Sequence, residues 1–76
     1  MTNAQKITVW RAAMNAVNLE SFPTQCRVAT EVAKALGLKA YFSGDGFGLY
    51  AMRGIYATKQ IAKSNGGCSD QLNSEQ

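Results

Sequence analysis

The stretch Thr24–Arg53, TQCRVATEVAKALGLKAYFSGDGFGLYAMR, decides the fold. It reads as a helix, a glycine stop and a tight β-hairpin. Thr24 is placed to cap the helix, its hydroxyl accepting from a backbone N–H of the first turn. Pro23 before it disfavours helix at the preceding residue. Val28, Ala29, Val32 and Leu36 recur at helical spacing and form one apolar stripe. Arg27, Glu31 and Lys34 fall on the opposite side. Gly37 lacks a Cβ, so it can adopt the left-handed conformation that ends a helix, and Leu38 then folds back toward Ala33.

The hairpin follows at once. Asp45-Gly46 suits a two-residue turn in which both central residues take positive φ. A turn centred there pairs Ser43 with Gly48, Phe42 with Leu49, Tyr41 with Tyr50, Ala40 with Ala51 and Lys39 with Met52. Alternation puts Phe42, Leu49, Ala40 and Ala51 on one face, and Tyr41, Tyr50, Lys39 and Met52 on the other. The first face suits a core against the helices. The second is aromatic and basic, a candidate contact surface. Glycines at 44, 46 and 48 pin the register weakly, and a slip of one residue would exchange the faces.

Upstream, Thr2-Asn3-Ala4-Gln5 fits a capping box. Ile7, Trp10, Met14 and Val17 mark a helical face, and the spacing predicts a helix over residues 3–18. Trp10 on that stripe is expected in the core, an exposed anchor being the alternative. Val9, Ala12 and Ala16 widen the stripe, so cover on more than one side is expected. Leu19–Pro23 is a short connection that favours a steep or antiparallel crossing. Phe22 is expected to plug the gap between the two helices.

Downstream, Gly54 resets the chain. Ile55, Thr58, Ile61 and Ala62 have helical spacing, which predicts a short helix over residues 55–64, ended by Asn65-Gly66-Gly67. An extended strand over Ile55–Thr58 is the alternative. Residues 65–76 are polar and glycine-rich and are expected to form a flexible tail. The expected fold is therefore α+β, in the order α-α-β-β-α, with a two-stranded antiparallel hairpin. It would form one winged-helix-like domain over residues 1–64.

A chain of 76 residues has a thin core. Trp10, Met14, Phe22, Leu36, Phe42 and Leu49 are expected to supply its bulk. No apolar run approaches the roughly 20 residues that span a bilayer. Lys6 and Arg11 interrupt the N-terminal region, so no signal peptide is expected there. All eight Lys and Arg lie within residues 6–63, against Glu20, Glu31 and Asp45, a net of +5 before the acidic tail. That balance suits an acidic partner, nucleic acid or protein, with simple solubility as the equal alternative. Cys26 and Cys68 are expected as free thiols in a reducing compartment.

The inventory of reactive groups is poor. With no histidine in the chain, the commonest general base and metal ligand are both missing. The cysteines lack zinc-site spacing and the acids are scattered. No enzyme activity, cofactor or metal is expected, and no small-molecule substrate. Gly44-Asp45-Gly46-Phe47-Gly48 looks like a phosphate-binding loop, but a strand rather than a helix follows it, so a hairpin turn is the better reading. Val32-Ala33-Lys34-Ala35-Leu36-Gly37-Leu38 looks like the first helix and turn of a helix-turn-helix. A winged-helix variant would use Arg27, Lys34, Lys39 and Arg53 on DNA phosphates. For each of these residues a solvated face is the simpler alternative.

Four patches together resemble a known family. A short amphipathic N-terminal helix is followed by a Ser21-Phe22 junction. An Ala-rich helix carries Val32-Ala33 and ends at Gly37. A Gly-rich hairpin follows. The end reads Thr58-Lys59-Gln60-Ile61 with Lys63, then Gly66-Gly67-Cys68. This order resembles the small proteins of autographivirus-type bacteriophages that inhibit host RNA polymerase carrying the stationary-phase sigma factor. The resemblance implies a non-catalytic protein in the host cytoplasm that binds RNA polymerase or a sigma factor and blocks initiation. It implies a binding role for Arg27, which matches the family's arginine near the start of the second helix. The family's hairpin arginine is not matched, since Asp45-Gly46-Phe47 stands there, the hairpin is shorter and the acidic tail is extra. The expected contact surface combines Arg27, Glu31 and Lys34 with Lys39, Tyr41, Tyr50 and Arg53. Alternatives are a small winged-helix DNA-binding regulator and a phage inhibitor of a bacterial defence system.

Overall fold

The computed structural model describes residues 1–43 and 46–64. The elements run α1 (Asn3–Ala16), α2 (Phe22–Ala35), β1 (Lys39–Ser43), β2 (Gly46–Arg53) and β3 (Tyr56–Ser64). The strands form one antiparallel sheet in the order β1-β2-β3, and the two helices cover one face of it. The expected tail, Cys68 within it, and the hairpin residues Gly44 and Asp45 lie outside the described residues.

Helix α1 starts with the expected box. The Thr2 N–H donates to Gln5 Oε1 at 2.8 Å, and the Gln5 N–H donates back to Thr2 Oγ1 at 3.1 Å. The helix ends at Ala16, two residues before the expected end. Its inner face buries Trp10 and Met14, with Ile7 and Val17 half-buried beside them. Val9, Ala12 and Ala16 are exposed, so α1 is covered on one side only.

Helix α2 begins earlier than its sequence pattern indicates. Ser21, not Thr24, is the cap, accepting from the Thr24 N–H at 3.4 Å. Pro23 sits inside the first turn, where its missing N–H has no intrahelical partner to lose. The helix ends as expected. Gly37 adopts φ +75°, the Gly37 N–H donates to Lys34 O, and the Leu38 N–H reaches back to Ala33 O at 2.8 Å. Its most buried residues are Gln25, Ala29 and Ala33; Val28, Val32 and Leu36 flank them half-buried.

The core is Trp10, Met14, Ala29, Ala33, Leu38, Ala40, Phe47, Leu49 and Ala62. Small residues on α2 let α1 approach closely. The Trp10 indole is fully buried, and its Nε1–H donates to Ala29 O at 3.2 Å, so no polar atom of the ring is stranded. Gln25 performs the same service for the connection: its buried Nε2 donates to Asn18 O and to Glu20 O, each at 3.1 Å.

Three further expectations need correction. The hairpin pairs Ser43 with Gly46, Phe42 with Phe47, Tyr41 with Gly48, Ala40 with Leu49 and Lys39 with Tyr50. This is two residues away from the expected register, and the even shift preserves the faces. Gly46, at φ +141°, opens β2 instead of occupying the turn centre. The shift takes Phe47 from beside the turn into the core, where it is 2% exposed, and that burial outweighs the local turn preference.

Second, residues 55–64 do not form a helix. They form a turn and β3, giving α-α-β-β-β rather than α-α-β-β-α, and three strands rather than two. Nine residues of β3, Tyr56–Ser64, lie against seven of β2, Phe47–Arg53, so two extra residues are absorbed as irregularities near Leu49, Tyr50 and Met52. The bulging turns neighbouring residues to the core together, with Ala62 buried and Ile61 half-buried against it. This imitates helical spacing in the sequence. Thr58 Oγ1 donates to Ala51 O at 3.1 Å within the irregular region.

Third, Phe22 does not plug the gap between the helices. It is half-exposed, with its ring centroid 4.8 Å from Phe42 and 6.1 Å from Phe47, closing the hairpin end of the core. Phe42 is equally exposed, so Phe47 and Leu38 supply core bulk in their place.

Leu49→Ala should lower unfolding free energy by about 2–5 kcal/mol. Gly37→Ala, where a Cβ meets nothing within 4 Å, should cost only the about 1–2 kcal/mol of left-handed backbone. Urea unfolding measures both. Proton NMR should show cross-strand contacts between Leu49 and Ala62; helical Cα shifts over Tyr56–Ser64 would overturn the third strand.

Candidate functional site

The expected contact residues divide between the two layers. On α2, Ala29 and Ala33 face the core, and at 100° per residue Arg27, Glu31 and Lys34 point the opposite way. All three are exposed. The order along this outward row is cation, anion, cation, about one turn apart.

Lys39, Tyr41 and Tyr50 stand on the other side of the molecule. Their neighbours Ala40 and Leu49 are buried beneath the helices, so alternation turns these three to the outer face of the sheet. Tyr41 and Tyr50, on adjacent strands, have ring centroids 5.4 Å apart with planes at 77°. Lys39 Nζ lies 5.8 Å from the Tyr41 centroid, within cation–π range. Tyr41 is 49% exposed and Tyr50 half-buried.

Gly48 explains how Tyr50 is held. A Cβ on Gly48 would come 2.8 Å from Tyr50 Cε1, 3.2 Å from its hydroxyl oxygen and 3.3 Å from Gln60 Oε1. The ring therefore leans back along its own strand across the bare backbone of Gly48. Its hydroxyl donates to Gln60 Oε1 on β3 at 3.1 Å. Lys63 pairs opposite Gly48 and so joins the same face.

Arg53 belongs to neither group. Alternation from Leu49 through Ala51 sends it toward the helix side, at the far end of β2, where it pairs with the exposed Tyr56. The seven expected contact residues thus form two surfaces and one outlier. Gly48 and Gln60 were missed in the sequence. The signal available for Gly48 was a glycine inside a strand pattern, which marks a close approach by another group. Gln60 carried no signal, because its partnership depends on the irregular pairing of β3.

Other groups play no part in either surface. Cys26 is half-buried against the core. Among the described residues no three His, Cys, Asp or Glu cluster as metal ligands, and no helix is long and apolar enough to cross a membrane. None of the family models, curated proteins and solved structures compared with the chain matches it.

Gly48→Ala should leave the fold intact and push the Tyr50 ring aside, because the obstructing atoms are the end of a side chain. Losing the Tyr50–Gln60 hydrogen bond should cost no more than about 1.5 kcal/mol. Tyr50 ring-proton shifts and a urea titration check this. Unchanged ring shifts would contradict the close packing over Gly48.

Proposed function

We propose that this chain is a non-catalytic binding protein of bacteriophage type, acting in the cytoplasm of a host bacterium. It binds RNA polymerase or its sigma factor and blocks initiation. The observation that carries this reading is the outward row Arg27, Glu31 and Lys34 on α2. The family resemblance gives its binding role to an arginine at this place, and the side chain is exposed on a helix braced from behind.

The mixed signs of the row favour a protein partner. Arg27 and Lys34 can pair with carboxylates, while Glu31 between them needs a cation. Complementary pairs of this kind set orientation and association rate more than raw affinity. The winged-helix reading would place the same row against DNA, with Arg27 and Lys34 on phosphates. Glu31 would then face a polyanion. The segment after α2 is also a strand, Lys39–Ser43, where a recognition helix would be needed.

Purified RNA polymerase, with and without sigma factor, should bind the immobilised chain, and Arg27→Glu should weaken binding at least about tenfold, a change of about 1.4 kcal/mol. Tyr41→Ala, on the opposite layer, should leave that binding unchanged. No binding to either form of the enzyme would refute the proposal. A duplex DNA shift abolished by Arg27→Glu would favour the winged-helix reading instead.

A further inference from the structure

We propose that the outer face of the sheet binds single-stranded nucleic acid. Tyr41 and Tyr50 stack on bases, and Lys39 with Lys63 attracts the phosphates. This surface is separate from the α2 row and does not depend on what that row binds.

Charge is the first support. The strands contain Lys39, Arg53, Lys59 and Lys63, and no Asp or Glu. The outer face itself carries Lys39 and Lys63 around the tyrosine pair. The α2 row has both signs, as suits a protein face; the sheet has one. A single-sign positive field beside exposed aromatic rings matches a polyanion that also offers π-faces.

Shape distinguishes single strand from duplex. Three antiparallel strands make a surface about 10 Å across between the outer strand axes. A duplex presents only groove edges and phosphates to such a surface, its base faces being stacked away inside the helix. Tyrosine rings on it can stack only on bases already free of a double helix.

The construction of the tyrosine pair is the third support. Tyr50 is seated before any ligand arrives, with its ring over Gly48 and its hydroxyl on Gln60. Preset rings lose less freedom on binding. Tyr41 stands at 77° to Tyr50, so one ring offers a face and the other a flanking wall. Lys39 is near the outer limit of cation–π range from Tyr41, a weak contact at an exposed site. An arriving base can take its place on the ring, and the ammonium can move to the neighbouring phosphate.

Fluorescence anisotropy of labelled short oligothymidylate and oligouridylate, titrated with the full chain at low salt, tests the proposal. Either strand should bind, more tightly than a duplex of equal length, and binding should weaken steeply as salt rises. The two arms separate DNA from RNA. Tyr41→Ala should weaken binding roughly 5- to 150-fold, the range for losing one stacked base, and Tyr41→Phe should restore it. Lys39→Gln should flatten the salt dependence by about one phosphate. Gly48→Ala keeps every proposed contact group but displaces Tyr50, so it should also weaken binding and covers the case in which Tyr41→Ala fails to fold. The proposal is overturned by no binding at low salt, by duplex binding as tight as single strand, or by polyglutamate competing as well as the oligonucleotide. Equal affinity of wild type, Tyr41→Ala and Gly48→Ala would overturn it too.

Discussion

The fold depends on one contact between the helices: the Trp10 indole seated against α2, with its N–H on the Ala29 carbonyl. The whole ring is buried here because the facing helix presents little more than backbone at Ala29 and Ala33. Trp10 therefore sets how closely α1 approaches α2. The pair then acts as a lid over Ala40, Phe47, Leu49 and Ala62. In a domain this small, few other side chains have enough apolar area to play that part.

Strand β2 links the buried layer to the exposed one. Phe47 and Leu49 point into the core, while Gly48 and Tyr50 between them shape the outer face. Because alternation is a property of the backbone, burying Phe47 and Leu49 fixes where Tyr50 goes. The tyrosine pair is thus a consequence of core packing carried through one strand. The outward row on α2 is set in the same manner by Ala29 and Ala33. Each exposed surface is the reverse side of a buried one, which is why the expected contact residues lie on opposite sides of the molecule.

Local signals were legible where the physics is local. The Thr2–Gln5 box and the Gly37–Leu38 stop involve groups within a few residues of each other, and both form as the pattern indicates. The start of α2 is the exception, because Ser21 and Thr24 can both cap and proline is tolerated in a first turn. The division of Tyr41 and Tyr50 from Ala40 and Leu49 was also legible, since period-two alternation survives an even shift of register. What sequence reasoning could not see was the register itself. Asp45-Gly46 is a good turn, yet the burial of Phe47 against Phe42 and the helices is worth more.

By itself, then, the sequence determined two helices, the cap of the first, a glycine stop, a hairpin and the sorting of its side chains into an apolar and an aromatic-basic face. Each follows from backbone geometry over one or two turns or pleats. Only the tertiary structure decided that residues 56–64 form a third strand, that Gly48 makes room for Tyr50, and that Arg27 and Tyr41 face away from each other. Those outcomes turn on contacts between distant segments. An edge of β2 needed hydrogen-bond partners, and a bulged strand supplied them while sending Ile61 and Ala62 to the core, an arrangement that spacing alone cannot distinguish from a helix.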